Sequence, residues 1–149
     1  MFILISSCSK NGEFELLDGR KQSIDDYSGQ WLVINFWAEW CSPCIKEIPE
    51  LNRLASLSGE YNVAVIGVSY DLVPNQKLIK DTKKLNFQYP VMATDPVPIL
   101  PFKLPASLPT NYIISPDGTI AAKLVGTQDF DSLIKELKKA KALFHSGKA

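Results

Sequence analysis

The spacing of apolar residues changes along this chain, and each change marks an expected element. Residues 31–37, built on Leu32-Val33-Ile34 and continuing through Phe36 and Trp37, form an apolar, β-branched and aromatic run. Such a run fits a strand buried on both faces. From Cys44 the apolar positions recur at helical spacing: Cys44, Ile48, Leu51, Leu54 and Ala55. A helix is therefore expected directly after the strand. Pro43 is tolerated in its first turn, whereas Pro49 removes an interior N–H and predicts a kink. Ser58-Gly59 is expected to end this helix.

The remaining pattern predicts further strands and two more helices. Residues 14–16 and 21–24 around Asp18-Gly19 read as a β-hairpin, with one helical turn at 25–27. The run 62–70 (NVAVIGVSY) suits the middle of a parallel sheet. A helix is expected over 74–86, with Leu78, Ile79 and Leu85 inward and lysines outward, followed by a short strand at 89–93. Five of the ten prolines fall between 95 and 109, giving a stiff loop that cannot enter a sheet interior. Strands 110–115 and 119–125, joined at Pro116-Asp117-Gly118, predict an antiparallel hairpin. Asp129 or Thr127 is placed to cap a last helix whose inward face is Phe130, Leu133, Ile134, Leu137 and Ala140.

Size and charge narrow the function. At 149 residues with formal net charge zero, the chain suits one domain and has no basic surface for nucleic acid. Lys135, Lys138, Lys139 and Lys141 read as a solvated face near a helix C-terminus. Residues 10–12 read as a linker, and His145 opens a polar C-terminal tail.

The candidate chemistry sits in Cys41-Ser42-Pro43-Cys44, where the buried strand turns into the helix. Three cysteines and one histidine do not make a structural zinc site, which wants four ligands, commonly as two close pairs. Two cysteines separated by two residues at a helix start are placed for redox work instead. Cys41, at the helix terminus, is the expected nucleophile, because unpaired N–H groups and the helix dipole favour its thiolate. Cys44, one turn further in, would resolve the mixed disulfide. The alternative is a structural disulfide, although so small a loop constrains little of the unfolded chain. Lowering a thiol pKa from about 8.5 to about 7 raises its thiolate from about 3% to about 50% at pH 7. Intrinsic nucleophilicity falls meanwhile by about fivefold, so the shift governs redox poise more than attack rate.

The stretch WAEWCSPC resembles the thioredoxin superfamily, and CSPCIKEIPEL is similar to the TlpA-like (ResA-type) thiol-disulfide oxidoreductases. The resemblance covers roughly residues 14–143. It implies an α/β thioredoxin fold, a central mixed β-sheet flanked by helices, with an N-terminal β-hairpin and a β/α insertion in the region 62–93. The expected organisation is a signal and linker segment at 1–12, one domain at 13–144 and a tail at 145–149.

The resemblance also assigns roles. Thioredoxins proper carry an aspartate six residues before the first cysteine, where this chain has Asn35, which cannot accept a proton. Glu47, three residues after Cys44 on the same helical face, matches the glutamate to which the TlpA-like pattern gives proton handling. A first-turn glutamate favoured by the dipole alone is the other reading. Glu39 is expected at the surface. Pro109 matches the family's cis-proline facing the CxxC, with Leu108 offering backbone groups to an extended substrate and Trp40 and Pro43 forming an apolar rim. The alternative there is a merely stiffened loop. Ile5-Ser6-Ser7-Cys8 resembles a lipoprotein lipobox, with Cys8 as the lipidated residue; the alternative is a terminal cysteine without a role.

The expected function is reduction of disulfides in exported proteins, apocytochrome c among them, without a cofactor. The expected place is an extracytoplasmic membrane surface, with a membrane dithiol donor as reductant. Rival readings are an oxidase or isomerase on the same fold, a copper metallochaperone using the CxxC, and a non-enzymatic interaction module.

Overall fold

The computed structural model describes residues 11–147. Cys8 and its lipobox lie outside the described residues. Asn11 and Gly12, from the expected linker, are tied to the body: the Asn11 carbonyl accepts from Ile24 N–H, and its N–H donates to Asp25. Gly12 has φ +76°, and a Cβ there would stand 2.7 Å from the Ile99 carbonyl, so the chain needs glycine where it meets the proline loop.

The N-terminal hairpin pairs β1 (Phe14–Glu15) with β2 (Lys21–Gln22). Ser23 and Ile24, expected in its second strand, instead start a 3-10 turn, Ile24–Tyr27, because Asp26 accepts from the Ser23 N–H and hydroxyl. The main sheet follows with β3 (Trp31–Trp37), β4 (Val63–Ser69), β5 (Thr110–Ile114) and β6 (Ile120–Val125). Its order is β4-β3-β5-β6; β3 and β4 run parallel, and the other pairs are antiparallel. All seven residues of β3 are buried.

The two faces of the sheet bury different things. Trp31 and Val33 pack with Leu51, Leu133 and Leu137 on the face covered by α1 (Ser42–Ser56) and α4 (Phe130–His145). Leu32, Ile34 and Phe36 point the other way, toward Phe14, Met92 and Tyr112. With a period of two, Asn35 therefore faces α1. Among the described residues the second face carries no helix comparable to α1. Leu100, Phe102 and Leu108 of the proline loop close it, with Phe102 edge-on to Tyr112 at 5.3 Å.

Several expectations need correction. The chain stays helical past Ser58-Gly59 as α2 (Ser58–Tyr61), ending where Asn62 adopts the left-handed conformation with φ +46°. β4 is not central but the last named strand of its sheet. It is buried nonetheless, because residues 90–92 cover its edge through Gly67 N–H to Pro90 O at 2.8 Å and Met92 N–H to Gly67 O at 2.9 Å. The expected strand at 89–93 is reduced to these bridges: Pro90 has no N–H, and Ala93 already bonds to Glu15 of the hairpin.

The helix expected over 74–86 is α3 (Asn75–Lys84); Leu78 is buried, and Ile79 and Leu85 are half-buried. α4 is capped by Asp129, which accepts from Ser132 N–H at 2.8 Å, and its five expected inward residues are all buried. Lys141 does not belong to the solvated face: its Nζ donates to the Tyr61 carbonyl at the end of α2, and burial lowers its pKa. His145 is the last residue of α4 rather than the start of a tail.

Candidate active site

β3 ends at Trp37 and the chain reaches Cys41 within four residues, so a rigid buried strand delivers the first cysteine. Cys41 is the N-cap of α1, with φ −89° and ψ 93°, and its Sγ accepts from Cys44 N–H at 3.3 Å. One of the orphan donors of the helix start is thus aimed at this sulfur. Cys41 and Cys44 are joined as a disulfide, with Cα atoms 5.3 Å apart. Cys41 is 5% exposed and Cys44 1%, so the cysteine at the helix cap is the less shielded of two buried residues.

Trp40 and Pro43, expected as an apolar rim, are both exposed next to the cysteines in the chain. Trp40 is 68% exposed, yet its indole N–H donates to Asp71 at 2.7 Å, which holds the ring in place. Ser42 and Pro43 are exposed. The Leu108–Pro109 peptide is cis, and so is Asp95–Pro96, for which no sequence expectation existed. Pro109 is buried and accepts from Gly126 N–H, while Leu108 is half-buried against the cluster holding Cys41 and Cys44. Among the described residues, nothing hydrogen-bonds the Leu108 backbone. Glu39 is half-exposed and ion-paired to Lys77 at 2.5 Å.

Glu47 is fully buried, one turn beyond Cys44. Its Oε1 accepts from Asn111 Nδ2 at 2.8 Å and from the Gln128 N–H at 2.9 Å; its Oε2 accepts from Asn35 Nδ2 at 3.1 Å. Burial lifts its pKa to about 7, and the three donors act against that rise. A carboxyl group with a pKa of about 7, one helical turn from Cys44, is suited to take and return a proton. The cluster continues away from the helix: Asn35 Nδ2 also donates to Asn111 Oδ1 at 2.9 Å, and Tyr89 OH donates to Asn35 Oδ1 at 3.1 Å.

The fold thus gathers Cys41, Cys44 and Glu47 at one helix start and packs Leu108 against the apolar cluster to which the pair belongs. Sequence reasoning missed Asp71, Tyr89, Asn111 and the Gln128 N–H. Only Asn111 left a trace: it is a polar residue within the apolar run of β5, on the side facing α1. The Tyr89, Asp71 and Gln128 contacts arise from loops, where no period points to a partner.

Known proteins show the same arrangement of chain. The sequence model of the AhpC/TSA family matches residues 9–123. The thiol-disulfide oxidoreductase ResA of a Bacillus cereus strain is 31% identical over 124 residues, spanning 83% of this chain and 70% of the relative. Among solved structures, the pneumococcal exposed lipoprotein thioredoxin Etrx1 of Streptococcus pneumoniae strain TIGR4 superposes with a TM-score of 0.69 at 24% identity. That match covers 85% of this chain and 97% of Etrx1. A secreted Mycobacterium tuberculosis disulfide oxidoreductase homologous to E. coli DsbE gives a TM-score of 0.70 at 19% identity, over 87% of this chain and 96% of its own. At those identities the two structures speak for the thioredoxin fold.

Proposed function

Because the chain belongs to the AhpC/TSA family and to the ResA-like thiol-disulfide oxidoreductases within the thioredoxin superfamily, we propose that it works as a reductase of disulfides in exported proteins. The Cys41 thiolate attacks one sulfur of a client disulfide. A Cys41–client mixed disulfide forms, and the client's other sulfur leaves as thiolate. Cys44 passes its proton to Glu47 and attacks Cys41 Sγ, which releases the second client sulfur and closes Cys41–Cys44. Two electrons move from the enzyme dithiol to the client, and the dithiol itself carries the chemistry without a cofactor.

The observation that carries this reading is the alignment along α1: the less shielded cysteine at the N-cap, the more deeply buried one behind it, and a buried carboxyl one turn further on. The Leu108 backbone, unpaired in a residue packed on the cluster that holds the pair, suits β-like pairing with an extended client segment, and Trp40 and Pro43 suit its flanking apolar side chains. A membrane dithiol donor would return the enzyme to its reduced form. Apocytochrome c or another exported protein would be the client, at an extracytoplasmic membrane surface to which lipid on Cys8 tethers the enzyme. Among the described residues no helix is long and apolar enough to cross a membrane.

Trapping tests the scheme. Cys44→Ser should accumulate mixed disulfides in cells, and Cys41→Ser should not. Equal trapping by the two variants would overturn the division of roles.

A further inference from the structure

Among the described residues, Glu47 is held without help from any cation. The groups facing it are Asn35 from β3, Asn111 from β5, the Gln128 N–H ahead of α4, and Tyr89 behind Asn35. On its own helix lie the cysteine pair and Glu50, whose carboxylate accepts from Phe130 N–H. Two side-chain amides therefore supply two of the three hydrogen bonds to the carboxylate, and an amide offers N–H from one edge only.

What keeps both N–H edges turned to Glu47 can be traced from the far end. Tyr89 is buried, and among the described residues Asn35 Oδ1 is the acceptor its hydroxyl has. That bond sets the oxygen of Asn35 toward Tyr89 and its NH₂ toward Glu47 Oε2 and Asn111 Oδ1. Accepting from Asn35 in turn sets the Asn111 NH₂ toward Glu47 Oε1. If Asn35 turned over, its oxygen would face a carboxylate oxygen and the buried Tyr89 hydroxyl would lose its acceptor, an uncompensated desolvation.

We infer that Tyr89 is a positioning residue: its hydroxyl locks the Asn35–Asn111 amide pair with both N–H edges on Glu47, so that the carboxylate beside Cys44 is held by donors. This rests on the reading of Glu47 as the proton acceptor for Cys44. Without the hydroxyl, Asn35 is free to turn and present an acceptor, which suits only the protonated carboxyl. The ionised form becomes harder to reach.

Tyr89→Phe keeps the ring, which packs on Phe87 at 5.0 Å, and removes the hydroxyl alone. Two measurements decide the matter: the infrared band of the protonated Glu47 carboxyl in the oxidised full-length protein, followed against pH, and the single-turnover rate of mixed-disulfide resolution. The Glu47 titration should move up by about one pH unit, the size expected for one lost hydrogen bond to a charged group. Resolution should slow about tenfold at pH 6 and stay within about twofold of the parent at pH 9, because the rate on the acid side follows the ionised fraction. In a Glu47→Gln background the same substitution should change neither limb. Asn111→Ala removes the second amide and should shift the carboxyl band in the same direction, so the test survives if Tyr89→Phe does not fold. An unmoved band in the folded variants, or a uniform loss of rate at every pH, would overturn the inference. A moved band with an unchanged rate would leave the positioning intact and remove Glu47 from the proton step instead.

Discussion

Asn35 and Asn111 stand directly opposite each other on neighbouring antiparallel strands, 76 residues apart in the chain, with their amides bonded at 2.9 Å. This cross-strand pair is a neutral platform, and the ionisable carboxyl bonded to it is Glu47 on the helix. A second carboxylate at position 35 would sit within hydrogen-bonding distance of the first, where two like charges cannot both ionise cheaply. The neutral pair lets one buried acid titrate by itself near neutrality.

The pH dependence of stability should report that acid. Burial raises the Glu47 pKa from 4.5, the value of a free glutamate, to about 7 in the folded protein. Between these values the folded state keeps a proton that the unfolded state has released, so stability is lost as pH rises through this window. The loss should approach about 3 kcal/mol on completion. Denaturant melts of the oxidised protein from pH 4 to 9 should show the decline, and Glu47→Gln should flatten it. Parallel curves for parent and variant would contradict the assignment.

Asn52 ties α1 to the segment that delivers Tyr89. Its Nδ2 donates to the Asn86 carbonyl and its Oδ1 accepts from Gln88 N–H, both at 2.8 Å. Asn52→Ala leaves both backbone groups unpaired and should cost about 1–3 kcal/mol. A shift in the urea midpoint equivalent to less than about 0.5 kcal/mol would show that the two bonds of Asn52 do not hold this segment.

Lipid on Cys8 predicts a partition. In its native host the protein should sediment with membranes, and Cys8→Ala should release it. Mass spectrometry finding a free Cys8 thiol with Met1 retained would end that proposal.

The direction of electron flow should appear in the redox potential, which we expect nearer thioredoxin at about −270 mV than DsbA at about −120 mV. Ser42-Pro43 places no histidine between the cysteines, so no cation there stabilises the Cys41 thiolate strongly. A neutral hydrogen bond from Ser42 is worth about 1 kcal/mol, or roughly 20 mV for a two-electron couple. The Cys44 N–H at Cys41 Sγ belongs to a helix terminus of the kind that thioredoxin also has. Glu47, once ionised, raises the pKa of a neighbouring thiol and pushes the couple further toward reductant. Equilibration with a glutathione buffer measures the result. A value above about −180 mV would favour the oxidase or isomerase reading.

Local order in the sequence was enough for much of this protein. The buried strand β3, the start of α1 at the cysteine pair and the inward face of α4 were all legible, because periods of 2 and 3.6 residues record which side of an element is buried, while the cap of α4 was narrowed only to Asp129 or Thr127. Helical spacing put Glu47 on the face of Cys44, and the TlpA-like resemblance gave it its expected role. Tertiary structure decided what Glu47 touches. Asn111, Tyr89 and Gln128 reach the cluster across separations of 64, 54 and 81 residues, measured to Glu47, Asn35 and Glu47 in turn. It also decided that Pro90 ends a strand almost before it begins, that β4 lies at an edge and is still buried, and that Lys141 turns inward to the Tyr61 carbonyl. Periodicity reports whether a side chain is buried. Which distant group shares its burial depends on strand order and on where loops return, and no local spacing encodes that.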